Sequence, residues 1–191
     1  MVLGGLDFLH DVRRGKPVKV GPRVVVIGGG NVSIDVALTA LREGAQVVAL
    51  TSLDKRRAMS ASPNEIELAV AEGVALYDGW GPVSIDEDGA VTLHFCEQTR
   101  DDAGRFNPVF DESRRLTLEA DQVILATGPG TDLSILDGSA VENNRGFIVA
   151  DPKTLMTAAP GVFAGGDAQH GPRTAVEAIR AGKIAATAMD T

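Results

Sequence analysis

At 191 residues the chain has room for one hydrophobic core, or one and a fraction, but not for two complete dinucleotide-binding folds. Its 44% hydrophobic and 23% charged residues, 22 glycines and single cysteine describe an ordered α/β protein with many tight turns, and they exclude an internal disulfide, a CxxC redox pair and a cysteine-ligated metal cluster. A net charge of −8 at pH 7 argues against nucleic acid and anionic membrane as partners, because both are bound by clustered Lys and Arg.

Residues 1–20 start with an apolar-periodic piece, Leu6, Phe8, Leu9 and Val12, and end in the basic, proline-broken stretch Arg13-Arg14-Gly15-Lys16-Pro17. A connecting helix and linker are expected there. Arg23-Val24-Val25-Val26-Ile27 is a continuous β-branched run, the mark of a parallel strand buried on both faces, and it leads straight into Gly28-Gly29-Gly30. Ile34, Ala37, Leu38 and Leu41 then recur at helical spacing, Gly44 is placed to end the helix, and Val47 to Leu50 is the next strand. Ser62-Pro63-Asn64-Glu65 has the pattern of a capped helix start, with Ile66, Ala69 and Val70 as its buried stripe.

From Val83 the period changes to two. Val83 and Ile85, a turn at Asp88-Gly89, and Val91, Leu93 and Phe95 predict a hairpin; a polar loop from Thr99 to Asn107 precedes a strand near Leu116 and Leu118. Residues 82–119 therefore form an antiparallel meander inserted into a parallel pattern, which resumes at Gln122-Val123-Ile124-Leu125-Ala126. Beyond Gly128 two short strands are expected, Gly146 to Val149 and Gly161 to Ala164, followed by a helix from about Thr174 to Met189. Gly182 inside that helix costs about 1 kcal/mol against alanine, which suggests close approach to another backbone. Met1 to Asp11 lack the plan of a signal peptide, and no apolar run approaches the ~18 residues that span a bilayer, so a cytoplasmic location is expected.

The strongest chemical signal is the strand, glycine turn and helix at residues 24–33. Gly28 permits the tight turn, Gly30 lets backbone approach a pyrophosphate, and Ser33 is small enough for the helix to pack close to the strand. Gly29, Asn31 and Val32 complete the helix N-terminus, whose free N–H groups face an anion. The plain alternative is a tight turn with no ligand. The choice of nicotinamide cofactor falls to the end of the second strand, where an acid grips a ribose hydroxyl and a base grips a 2′-phosphate. Thr51 and Ser52 close that strand, and Asp54 is followed by Lys55-Arg56-Arg57, with Arg56 and Arg57 as candidate phosphate ligands. Both NADP and NAD remain open. A second stretch, Pro160 to Asp167 followed by Gly171-Pro172 and a helix from Thr174, delivers a carboxylate into a glycine turn beside a helix N-terminus. Asp167 suits a ribitol or ribose hydroxyl, while Gly166, Thr174 and Ala175 sit where a helix end would steady charge on a reduced flavin. Here the plain alternative is a capped turn.

Together, Val26 to Asp35, Met59-Ser60-Ala61-Ser62, Ala126-Thr127-Gly128, Val162 to Asp167, Gly171-Pro172 and Ala178 to Lys183 resemble the flavoprotein reductases with two nucleotide-binding domains (the pyridine nucleotide-disulfide oxidoreductase superfamily). Within that superfamily they resemble the glutamate synthase small subunit and the related part of dihydropyrimidine dehydrogenase. The resemblance implies a Rossmann-like parallel sheet with the inserted meander, plus an incomplete second FAD-type α/β segment. It divides the chain into a connecting segment (1–20), an NAD(P)-binding domain (21–128) and the C-terminal part of an FAD-binding domain (129–191). It also implies an NAD(P)H-dependent FAD oxidoreductase that passes a hydride from NAD(P)H to FAD and on to a partner subunit or domain. Thr127 and Gly128 join the cofactor contacts.

The first FAD part and the iron–sulfur region of such proteins have no counterpart here, so FAD is expected to bind only with that missing N-terminal segment. A fragment, inactive alone, is the expectation. Where NADPH-using members carry paired arginines this sequence has Leu53 and Asp54, with Arg56 at a further basic position; the polar residue after Ala-x-Gly is Pro129. No catalytic acid or base is expected, since the cofactors do the redox chemistry. His10, His94 and His170 are isolated in sequence, and Trp80 and Cys96 are expected to pack. The alternative function is a nucleotide-binding module without turnover.

Overall fold

The first strand, β1 (Val2–Gly4), passes directly into α1 (Gly5–Arg13), and β2 (Arg23–Ile27) then enters the glycine turn that opens α2 (Asn31–Arg42). After β3 (Val47–Ser52) come a 3₁₀ turn at Arg56–Ala58, α3 (Pro63–Ala71) and β4 (Ala75–Asp78). The chain continues through β5 (Trp80–Ile85), β6 (Val91–Arg100), β7 (Phe106–Leu118) and β8 (Gln122–Leu125). These elements belong to the first of two compact units, divided between residues 129 and 130. The structure, a computed structural model, describes residues 1–128 and 130–190. Pro129, at the expected departure from the family pattern, lies outside the described residues.

Five strands form a wholly parallel sheet in the order β1-β8-β2-β3-β4. The β-branched run of β2 suits its central place because both of its faces are covered. Val24 and Val26 pack with Phe8, Ile34, Leu38 and Ile66 of the three helices, whereas Val25 and Ile27 pack with Val91 and Leu93 of the meander. Every residue from Val24 to Ile27 is at most 5% exposed, and burying each such side chain contributes roughly 1.5–3 kcal/mol. The antiparallel sheet β5-β6-β7 thus covers the face that helices would otherwise cover.

The second unit is sparser. It holds a 3₁₀ turn at Ser134–Leu136, the two-stranded β9 (Asn143–Asn144) and β10 (Phe147–Ile148), the four-residue α4 (Asp167–His170) and α5 (Ala175–Met189). Leu155, Ala164 and Ala181 are its buried apolar residues among those described. No helix of the described residues is long and apolar enough to cross a membrane.

Several expectations need correcting. Residues 1–20 do more than connect: β1 pairs in parallel with β8, and Phe8 of α1 is 3% exposed in the main core. The expected polar loop at Thr99–Asn107 shrinks to a turn, because the Asp101 carboxylate accepts from the N–H groups of Ala103 and Arg105 and lets both strands run nearly to the tip. Ser62 is the N-cap of α3 but its side chain makes no capping bond; its N–H is held instead by Asn31 Oδ1 at 2.7 Å. Residues 161–164 contribute only an isolated bridge, Met156 to Phe163. A β-carbon on Gly182 would meet nothing within 4 Å, and the close approach lies one residue earlier, with Ala181 Cβ 2.8 Å from the position a Gly165 β-carbon would take.

Candidate functional site

The glycine turn is built by two glycines that the protein itself needs and one that it does not. Gly28 donates its N–H to Thr51 O at 3.0 Å, and a β-carbon there would stand 2.3 Å from Ala126 O. One on Gly29 would stand 2.5 Å from Ser52 Oγ. Gly30, by contrast, has φ −102° and ψ 175°, ordinary extended backbone, and a β-carbon would have only Ser60 Oγ, at 3.4 Å, as a neighbour. Ser33 is fully buried, donates to Gly30 O at 2.6 Å and packs under Gly28, as expected of a small residue at that position. Among the described residues no acceptor takes the N–H groups of Gly29, Gly30, Asn31 or Val32. Four free donors at the positive end of α2 have the chemistry to receive an anion.

A strap that local sequence patterns do not reveal holds this turn. Ala61 N–H and the Ser60 hydroxyl both donate to Gly29 O, at 3.0 and 3.3 Å, and Ser62 N–H donates to Asn31 Oδ1. Met59 and Ala61 anchor the strap by burial in the helix-side core. The Met59 to Ser62 motif is therefore a clasp on the glycine turn.

At the end of β3 the two hydroxyls turn inward. Thr51 is 1% exposed and donates to Trp80 O at 2.5 Å; Ser52 is 3% exposed beneath Gly29. These two side chains thus shape the site's floor. Beyond them Lys55, Arg56 and Arg57 are exposed, and among the described residues none has a carboxylate within ion-pair distance. Asp54 is engaged: its carboxylate accepts from the Thr99 hydroxyl at 2.7 Å and its carbonyl from Gly79 N–H at 3.2 Å. Asp78 accepts from Arg56 N–H at 2.8 Å. A cavity of about 260 Å³ lies here, lined by Leu53, Asp54, Lys55, Cys96, Thr99 and Arg100 among others. Cys96 is 1% exposed and burial pushes its thiol up, in keeping with a packing role.

Just past the C-terminal end of β8, Ala126 packs against Gly28, and the exposed Thr127 and Gly128 follow. A smaller cavity of about 160 Å³ adjoins the turn, lined by Gly4, Gly5, Asp7, Val32, Ala126 and Gly128 among others.

In the second unit, Gly166 (φ 68°) precedes Asp167, whose exposed carboxylate accepts from Arg173 N–H at 3.3 Å. Thr174 caps α5 in a full capping box with Glu177, so its hydroxyl and N–H are already used; those bonds hold the Glu177 carboxyl below its ordinary value. The sequence pattern had not singled out this box. Ala175 and Val176 keep N–H groups with no acceptor among the described residues, and Gln169 Oε1 is buried without a donor among them. His170 is exposed at the end of α4.

Comparison with known proteins gives a consistent picture. The family described as pyridine nucleotide-disulphide oxidoreductase matches residues 2–182. The chain is 41% identical over 97% of its length to the NADP(+)-dependent formate dehydrogenase subunit beta of Moorella thermoacetica. It is 33% identical over 94% of its length to the NADPH glutamate synthase small chain of Azospirillum brasilense. Identity is 31%, over 96% of the chain, to the NAD-dependent dihydropyrimidine dehydrogenase subunit PreT of Salmonella typhimurium. It spans only 27%, 39% and 40% of these proteins respectively. Among solved structures, FprA of Mycobacterium tuberculosis in complex with NADPH superimposes with a TM-score of 0.74 at 16% identity, over 98% of this chain and 58% of that one, which shows the shared fold.

Proposed function

The chain belongs to the pyridine nucleotide-disulphide oxidoreductase family, and on that premise we propose that its first unit is the nicotinamide-dinucleotide-binding part of a flavin-dependent oxidoreductase and its second a piece of the flavin-binding part. The observation that carries this is the set of four N–H groups at Gly29 to Val32 that have no acceptor among the described residues, beside the uncluttered Gly30. A pyrophosphate would be held there, with Arg56 and Arg57 available to a phosphate at the adenosine end. The cavity lined by Gly4, Val32, Ala126 and Gly128 would receive the nicotinamide, and Thr127 lies between two of these residues in the chain.

The second unit fits part of a flavin. Asp167 offers an acceptor for a sugar hydroxyl, Ala175 and Val176 offer free N–H donors at the head of a 15-residue helix, and Gln169 Oε1 is a further acceptor in need of a donor. When bound, the nicotinamide and the flavin would supply hydride transfer, and a partner subunit or domain would receive the electrons. This chain's residues bind, orient and lend electrostatic support. The names of the relatives, a formate dehydrogenase subunit and a glutamate synthase subunit among them, fit a reductase module joined to different partners.

Calorimetric titration of the chain with NADPH and with NADH, beside a Gly30→Val variant, tests the reading. Valine suits the extended backbone at Gly30, so the variant keeps its melting temperature. Binding that the variant loses supports the site; a folded wild-type chain that binds neither nucleotide overturns it.

A further inference from the structure

Asp54 is the one acidic side chain between the end of β3 and α3, and so the one group there able to grip an adenosine ribose in the manner of an NAD-selective acid. It is pinned at both ends. Its carbonyl accepts from Gly79 N–H, and Gly79 O in turn accepts from Cys96 N–H of β6 at 2.7 Å. Its carboxylate accepts from the hydroxyl of Thr99, a residue of the same strand at the register shift between the paired positions Gln98 and Arg100. The neighbouring cations are treated in the opposite way. Lys55, Arg56 and Arg57 are exposed and, among the described residues, carry no carboxylate partner.

We infer that Thr99 is a positioning residue for cofactor choice: by holding the Asp54 carboxylate against the meander, it leaves the loop after β3 to its cations and directs the site to a nucleotide with a 2′-phosphate. This rests on the nicotinamide-binding reading above. The hydroxyl acts through Asp54 and touches no nucleotide. Once released, the carboxylate would face the bound nucleotide, accepting from a 2′-hydroxyl and repelling a 2′-phosphate.

The test is the ratio of the dissociation constants for NADH and NADPH, measured on the full chain. The wild-type chain should favour NADPH. Thr99→Val should lower that ratio roughly fivefold, the effect of one like charge brought to about 4 Å in a water-like medium. Thr99→Ser, which keeps the hydroxyl, should hold the wild-type ratio, and adding Asp54→Asn to Thr99→Val should restore it. Loosening of the meander alone would weaken both nucleotides together and leave the ratio in place. An unchanged ratio in Thr99→Val, or a fall that persists when Asp54→Asn is added, overturns the inference while nucleotide binding by the wild-type chain still upholds the site. Failure of the wild-type chain to bind either nucleotide overturns both.

Discussion

Ser52 lies under Gly29 so closely that a β-carbon on the glycine would come within 2.5 Å of the serine Oγ. The crossing of β3 and the glycine turn is therefore a fit of one hydroxyl against one missing side chain. Gly29→Ala should destabilise the chain by roughly 1–3 kcal/mol, and Ser52→Ala in the same chain should recover most of it. Urea unfolding of the two single variants and the double variant measures this coupling. Additive effects would mean that the clash is relieved elsewhere.

Asn31 spans from the first residue of α2 to the N–H of Ser62 and closes the clasp on the turn. Asn31→Ala should cost about 0.5–1.5 kcal/mol and weaken NADPH and NADH by the same factor. Titration of both nucleotides checks this, because an effect confined to one of them would place Asn31 at the adenosine end.

The far end of the sheet sets part of the acid limb of stability. Arg23 donates to Asp121 through its backbone N–H, Nε and Nη2, at 3.0, 3.0 and 2.9 Å, and these bonds hold the Asp121 carboxyl below its ordinary 3.8. A carboxyl depressed in the folded state contributes stability that is present above the unfolded value and lost as pH falls through the folded one. Asp101, Asp111, Asp151 and Glu177 shift in the same direction. The urea midpoint should hold steady above pH 5 and fall below about pH 4, and Asp121→Asn should lower the plateau and flatten that fall. A limb of unchanged slope in the variant would remove Asp121 from the account.

In the second unit the Thr174 capping box ties the head of α5 together, the Thr174 hydroxyl taking the Glu177 N–H and the Glu177 carboxylate taking the Thr174 N–H. Thr174→Ala should cost roughly 1 kcal/mol, with hydrogen exchange quickening at residues 175–189 and unchanged along β2 and β8. Equal quickening in both units would mean that they unfold together.

The elements legible in the sequence were those with long, repetitive signals. The β-branched run of β2 reflects two covered faces, the helical spacing after Gly30 and the alternation of Val91 and Leu93 each reflect one, and all three form as expected. β1 and β4, of three and four residues, are too short for any period to show, and they exist because a neighbouring parallel strand pairs with them. At the site, the glycine turn and Ser33 were legible because strand, turn and helix are contiguous. The Ser60 to Gly29 and Thr99 to Asp54 bonds join residues 31 and 45 positions apart, and no local pattern announces such partners. The Ser62 box failed for the same reason, since Asn31 took the N–H that Glu65 would have held.

β8 lies between β1 and β2, yet it follows them in the chain only after the whole meander. During synthesis β1 and β2 therefore leave the ribosome before the strand that joins them, and Gly28 lacks the Ala126 carbonyl against which it packs. At about 5–20 residues per second, the growing chain spends several seconds in this unfinished state. Within this domain the glycine turn is made well before β8, and it can close against Ala126 only once the meander and β8 have followed it.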